Sequence, residues 1–191
     1  MHPNAYLRAF WRNETIDQVF VAMSFEARYK ERFERVFKPA IEEREIAGLR
    51  LKAFRVDTSK TGDSILTEIV AGISHSRLVV ADVSAVDEGR YTDVPMRNGN
   101  VMYEVGVALA CRLPSEVLLV RDDTKKFLFD VSSIPHTTLD FTDTATAIDL
   151  LRARIADRLQ ETDLTQEARI QIAVSPNPKI DQAVRRLSMD A

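Results

Sequence analysis

Leu78–Val83 reads Leu-Val-Val-Ala-Asp-Val (LVVADV), nearly all apolar, the pattern of a central parallel strand covered on both faces. Working outward from it, 65–73 carries Ile65, Ile69 and Ile73 at helical spacing, with Gly72 permitting close packing. Thr58–Gly62 is a turn, and Asp63 or Ser64 can cap that helix. Further upstream, Leu49–Val56 reads as a strand with Leu51, Ala53 and Phe54 pointing inward, and Gln18–Met23 (QVFVAM) as a buried strand. Between them, 26–45 is charged but places Phe33, Val36, Phe37, Ala40 and Ile41 at helical spacing. Pro39 should kink or restart that helix, since it lacks an N–H and its ring crowds the preceding turn. Downstream come a loop from Ser84 to Gly99, a helix from about Asn100 to Leu113, a strand at Glu116–Val120, a strand at Thr137–Phe141 and a helix at Ala145–Leu159.

Strands alternating with helices imply a parallel sheet with right-handed crossovers. The expected fold is an α/β, flavodoxin-like three-layer sandwich whose five parallel strands run in the order 2-1-3-4-5. The α/β domain is read as 18–162, preceded by an N-terminal extension, 1–17, and followed by a helical tail, 163–191. In that tail Ser175-Pro176-Asn177-Pro178 is a helix breaker before a short amphipathic stretch, Lys179 to Leu187.

The composition of the 191 residues excludes several classes of function. With 45% apolar and 29% charged residues the chain is ordinary for a globular protein. No apolar run approaches the roughly 20 residues that span a bilayer, and the start lacks the apolar stretch of a secretion signal, so a cytoplasmic protein is expected. Cys111 is the single cysteine, and His2, His75 and His136 are scattered without ligand spacing. Neither a metal site nor a Ser-His-Asp hydrolase is expected. A net charge of −3 without a long Lys/Arg block argues against gripping nucleic-acid backbone. The glycine-rich signatures of dinucleotide-binding and P-loop folds are absent.

In such a sheet the ligand sits beyond the carboxyl ends of the strands, near the switch point between strands 1 and 3. Four strand ends then supply Ser24-Phe25, Asp57 to Asp63, Asp82 to Ser84, and Asn98 to Glu104. Glu104 is the sharpest signal, because its helical neighbours on one face are Val107, Ala108 and Cys111. Partial burial there raises its pKa, while the helix N-terminus favours the anion. The alternative is an acid that only complements the helix dipole. Asp82 interrupts an apolar run at a strand end, so it either faces the pocket mouth or is hydrogen-bonded inside. Asp57 has the same position after the second strand, and Asp63 is part cap, part site. Asn98-Gly99-Asn100 is a turn signature in which Asn100 can cap the helix, and Tyr103 can stack on a base or pack. Phe25 reads as a pocket wall. The substrate-binding set is therefore Ser24, Phe25, Asp57, Asp63, Asp82, Ser84, Asn100 and Tyr103, with Glu104 catalytic.

Three strings carry a resemblance: Gly62-Asp63-Ser64-Ile65-Leu66, the run Ser76 to Ser84, and Asn100-Val101-Met102-Tyr103-Glu104-Val105-Gly106-Val107-Ala108-Leu109-Ala110. Together with Val19–Phe25 and Phe129-Asp130-Val131 they resemble the nucleoside 2-deoxyribosyltransferase-like superfamily, particularly its bacterial TIR-like branch. The match covers about 18–142. The resemblance implies cleavage of an N-glycosidic bond, with the carboxylate matching Glu104 attacking or stabilising the anomeric carbon. It implies a nucleotide or nucleoside substrate, with NAD favoured as substrate rather than cofactor, a homo-oligomer, and a place in anti-phage defence or nucleotide signalling. The alternatives are a deoxyribosyltransferase that exchanges bases, and a non-catalytic nucleotide sensor or assembly module. Where the family has a short Asn-Pro-Asn loop, this chain has Ser84 to Gly99 with Asp87, Glu88 and Pro95. Such a loop over the mouth either acts as a lid, changes the substrate or blocks the site.

Overall fold

A computed structural model describes residues 15–56, 65–86, 95–125 and 134–174. Five parallel strands form one sheet in the order β2-β1-β3-β4-β5: β1 (Ile16–Ala22), β2 (Lys52–Phe54), β3 (Ser76–Asp82), β4 (Val117–Arg121) and β5 (His136–Thr138). The helices are α1 (Ala27–Arg32), α2 (Lys38–Glu42), α3 (Ile65–His75), α4 (Gly99–Cys111) and α5 (Thr144–Val174). The architecture is the α/β three-layer sandwich of the flavodoxin-like kind.

Alternation along the central strands divides the core in two, because successive side chains leave a strand on opposite faces. Val19, Val21, Leu78, Val80, Leu118 and Val120 face α1, α2 and α5. Phe20, Ala22, Val79, Ala81, Val117 and Leu119 face α3 and α4. Both faces are covered, which is why these strands carry continuous apolar runs.

The helix expected across 26–45 passes through a π segment, Phe33–Phe37, immediately before Pro39. Widening the turn there lets the chain continue past a residue that can neither donate a backbone hydrogen bond nor accept a close preceding carbonyl. Strand β2 is shorter than expected. It is preceded by a tight turn in which Ile46 and Leu49 exchange backbone hydrogen bonds of 3.0 Å, with Ala47 and Gly48 at φ 51° and 76°. Helix α5 also differs from expectation, running unbroken through 163 to Val174. Its buried stripe is Ala147, Leu151, Ile155 and Leu159, and its last buried residue is Thr162, whose hydroxyl donates to Ser115 Oγ at 3.2 Å. Beyond that point Leu164, Ile170 and Ile172 are exposed. No helix among the described residues is long and apolar enough to cross a membrane.

Gly72 lets α3 pack directly against two rings of the sheet. A Cβ built there would lie 2.5 and 2.7 Å from ring carbons of Phe20 and 2.9 Å from one of Phe54. Both rings are packed, 6.0 Å apart, so neither can yield freely. Gly72→Ala is expected to lower stability by about 1–3 kcal/mol through overpacking, read as a drop in the urea midpoint at unchanged slope.

Candidate functional site

Strand β1 ends at Ala22, and the chain turns through Met23, Ser24 and Phe25 before α1. Strand β3 ends at Asp82, and α4 follows it after the Ser84–Gly99 loop. The sheet order reverses between β1 and β3, so these two carboxyl ends flank a crevice. A cavity of about 180 Å³ lies there, lined by Met23, Ser24, Phe25, Glu26, Asn98, Asn100 and Glu104.

The N-cap of α4 is Asn98, two residues earlier than the Asn100 expected for it. Asn98 Oδ1 accepts from the backbone N–H groups of Asn100 at 3.0 Å and Val101 at 3.2 Å. Its amide Nδ2 donates to Ser24 Oγ at 3.2 Å, so one side chain starts the helix and ties it to the end of β1. Ser24 is buried, and its oxygen also accepts from the Glu26 N–H at 3.3 Å. With its oxygen accepting twice, the hydroxyl of Ser24 still has a proton to donate, and none of the described residues accepts it.

Starting the helix at Gly99 puts Glu104 in the second turn, not the first. The expected help from the helix N-terminus is therefore small, since that effect fades within one turn. Glu104 is 7% exposed and makes no hydrogen bond or ion pair with the described residues. Burial pushes its carboxyl up to about 7. Its neighbours Val101, Val105, Val107 and Ala108 are buried apolar groups, which supply desolvation and no compensating donor. A carboxyl in this state exchanges its proton near neutrality and is a stronger base when ionised than an ordinary carboxylate.

The other expected site residues are distributed as follows. Phe25 is a half-exposed wall of the cavity, and Asn100 lines it from the first turn of α4. Tyr103 is half-exposed and outside the lining. Asp57 and Asp63 lie outside the described residues, as do Phe129, Asp130 and Val131.

Asp82 and Ser84 are not brought to this cavity. They share the parity of Leu78 and Val80, so they point to the α1 side of the sheet, away from α4. Asp82 Oδ2 meets Arg32 Nη1 at 3.1 Å, and Oδ1 accepts from the Ser84 N–H at 3.1 Å and hydroxyl at 2.5 Å. Burial raises the Asp82 carboxyl, and Arg32 with Ser84 pulls it back part of the way. Ser84 Oγ in turn accepts from Arg32 and from the Asp122 N–H at 3.0 Å. These groups satisfy one another and hold strand ends together.

The base of the Ser84–Gly99 loop is closed. Ala85 pairs with Arg97 as an antiparallel bridge, and the Val86 N–H donates to Met96 O at 2.9 Å. Arg97 grips Asp123 with Nη1 and Nη2 at 2.6 and 2.9 Å and donates to Val83 O at 2.6 Å. Asn98, beside this clamp, reads in the sequence as part of a turn at the mouth and not as the cap, and Met23 and Glu26, which also line the cavity, are not singled out there. The signal for the cap is the preference of helices for an Asn, assigned two positions too late.

A larger cavity, about 450 Å³, opens between β5 and α5, lined by His136, Thr138, Arg154, Asp157, Arg158 and Glu161. Its charged walls are paired with one another, Arg154 with Asp157 and Arg158 with Glu161. Burial pushes the Cys111 thiol up to about 11, leaving it protonated near neutrality. Among the described residues no cluster of His, Cys, Asp and Glu could hold a metal ion.

No family model matches the chain, and no curated protein matches it. Among solved structures it is similar to the metal-soaked Flv1 flavodiiron core from Synechocystis sp. PCC6803, at 13% identity and a TM-score of 0.49. That likeness covers 80% of this chain and 37% of the other, so the chain spans little more than a third of that protein's length.

Proposed function

We propose that this chain cleaves or transfers the N-glycosidic bond of a nucleotide, with NAD the favoured substrate and Glu104 the group that meets the anomeric carbon. The observation that carries this reading is a buried carboxyl with no partner among the described residues, lining a cavity at the switch point of the sheet. An unpaired buried acid costs stability, and the cost is explained if the group works on a ligand. The family resemblance of 18–142 adds to it.

As the C1′–N bond breaks, its electron pair goes to the departing base and positive charge builds on the sugar. A carboxylate held in a dry site stabilises that charge strongly, or bonds to C1′ before water or a second acceptor replaces it. Ser24 and Asn100 line the cavity beside Glu104, and on this reading they bind sugar hydroxyls. Nicotinamide leaves NAD as a neutral molecule and needs no proton, whereas a nucleoside base needs one. Among the described residues the cavity's other acid is Glu26, exposed and paired with Arg28 at 3.5 Å. NAD is favoured on the family resemblance. In the defence or signalling role that the resemblance implies, turnover waits on self-assembly.

A second reading rests on the Glu104 carboxyl at about 7. Half-protonated near neutrality, it both donates and accepts, which suits a sensor that binds ribose hydroxyls without chemistry. Purified protein incubated with NAD, and separately with a deoxynucleoside plus a free base, distinguishes these by mass spectrometry. Equimolar nicotinamide and ADP-ribose is the expected result. Base exchange without NAD loss assigns the transferase, and nucleotide binding without turnover, even when oligomers are driven to form, assigns the sensor.

A further inference from the structure

The more deeply set arginines of this chain are matched to carboxylates: Arg32 to Asp82 and Asp122, Arg97 to Asp123, Arg112 to Glu116. Arg55 is not. It lies one residue beyond the Phe20–Phe54 pair that ends the β1–β2 register, at the carboxyl end of β2. Its guanidinium is held by two aromatic rings instead, 4.7 Å from the centroid of Phe33 and 5.5 Å from that of Phe25. Nη1 is buried and has no hydrogen-bond partner. Leaving a buried cationic donor without an acceptor is costly, and ring contacts offset only part of the loss.

Phe25 connects this cation to the candidate site, since the same residue walls the Glu104 cavity. At about 180 Å³ the cavity is smaller than the roughly 300–1,000 Å³ pockets that enclose whole ligands. It accommodates one sugar, and the rest of a nucleotide must leave across the rim that half-exposed Phe25 forms. We propose that Arg55 is the phosphate anchor of the site: it binds the phosphate carried by the sugar beside Glu104, so that the protein selects nucleotides over unphosphorylated nucleosides. This rests on the reading of the Glu104 cavity given above. The planar fork of an arginine restrained by two rings is suited to donating paired hydrogen bonds to a phosphate's oxygens.

The test measures binding by calorimetry in a Glu104→Gln background, so that ligand stays intact. Nicotinamide mononucleotide and nicotinamide riboside differ by the phosphate alone. The mononucleotide is expected to bind about ten- to a hundredfold more tightly. Adding Arg55→Gln should remove most of that preference by weakening the mononucleotide, while Arg55→Lys, which keeps the charge but not the fork, restores part of it. Equal binding of the two ligands without the Arg55 change overturns the anchor and leaves the cavity reading standing. So does an Arg55→Gln protein, shown folded by circular dichroism, that weakens both ligands alike, since that marks Arg55 as a support for Phe25. Binding of neither ligand, with no NAD turnover by the wild type, overturns both.

Discussion

Glu104→Gln is expected to slow nicotinamide release from NAD by about a hundred- to a thousandfold while making the protein more stable above neutral pH. Gln has the shape of the acid and none of its charge, so the cavity keeps its form and loses the group proposed to face the sugar. The stability gain follows from the carboxyl being raised from 4.5 to about 7 by burial. Below the lower value Glu104 is protonated in both folded and unfolded chains and contributes no pH dependence. Between the two values the unfolded chain gives up its proton first, so stability falls as pH rises. Above about 7 the full penalty is present, roughly 3 kcal/mol at 1.36 kcal/mol per pH unit. The neutral amide never incurs it. Thermal unfolding of both proteins from pH 4 to pH 9 should show curves that coincide in acid and separate through neutrality, with the variant higher. Turnover by the wild type should rise over the same interval as the carboxylate form accumulates. Retained turnover in the variant would refute the catalytic assignment, and a melting difference independent of pH would refute the burial argument.

The sheet was readable because its strands are continuous apolar runs separated by helix-length amphipathic segments, and chirality leaves few ways to connect such elements. The same property hid the site's membership. In a strand buried on both faces, apolar residues point both ways, so nothing in LVVADV tells which layer Asp82 enters. Asp82 and Ser84 share a parity with Leu78 and Val80, and that parity takes them to the α1 side. Ser24 has the parity of Phe20 and Ala22 and so turns toward the helix that carries Glu104. The burial of Glu104, and the upward push that burial gives its carboxyl, were legible from the small apolar residues around it. The small opposing effect of the helix N-terminus was not, because a cap at Asn98 instead of Asn100 moves the acid into the second turn. Arg55 escaped notice because its partners are rings, Phe25 and Phe33, which come together only when the β1–α1 turn folds over the end of β2.

Arg32→Met is expected to cost about 3–5 kcal/mol, the usual consequence of stranding a buried charge. The Arg32 guanidinium bonds Asp82 and Ser84 at 3.1 Å each, pairs with Asp122, and lies 4.2 Å from the Phe141 ring centroid and 4.8 Å from that of Tyr29. Asp82 has no exposed side-chain surface, so without Arg32 only Ser84 stabilises its anion. Its carboxyl, already raised by burial, rises further once that cation is gone. An acid raised in the folded state destabilises it once the pH exceeds the unfolded value. The Arg32→Met defect should therefore be largest in alkaline solution and shrink on acidification, as Asp82 takes up a proton. Urea unfolding at pH 8 and pH 5 measures this. Adding Asp82→Asn to Arg32→Met removes the stranded charge and should recover a large part of the loss at pH 8 and little at pH 5. A loss that is the same at both pH values, and untouched by the second change, would mean that Arg32 acts through its ring contacts and not through Asp82. The tie matters for the cavity because it joins α1 to the carboxyl ends of β3 and β4. The loop that delivers Asn98 and Glu104 departs from the end of β3, and α1 follows directly on the β1 turn that presents Ser24.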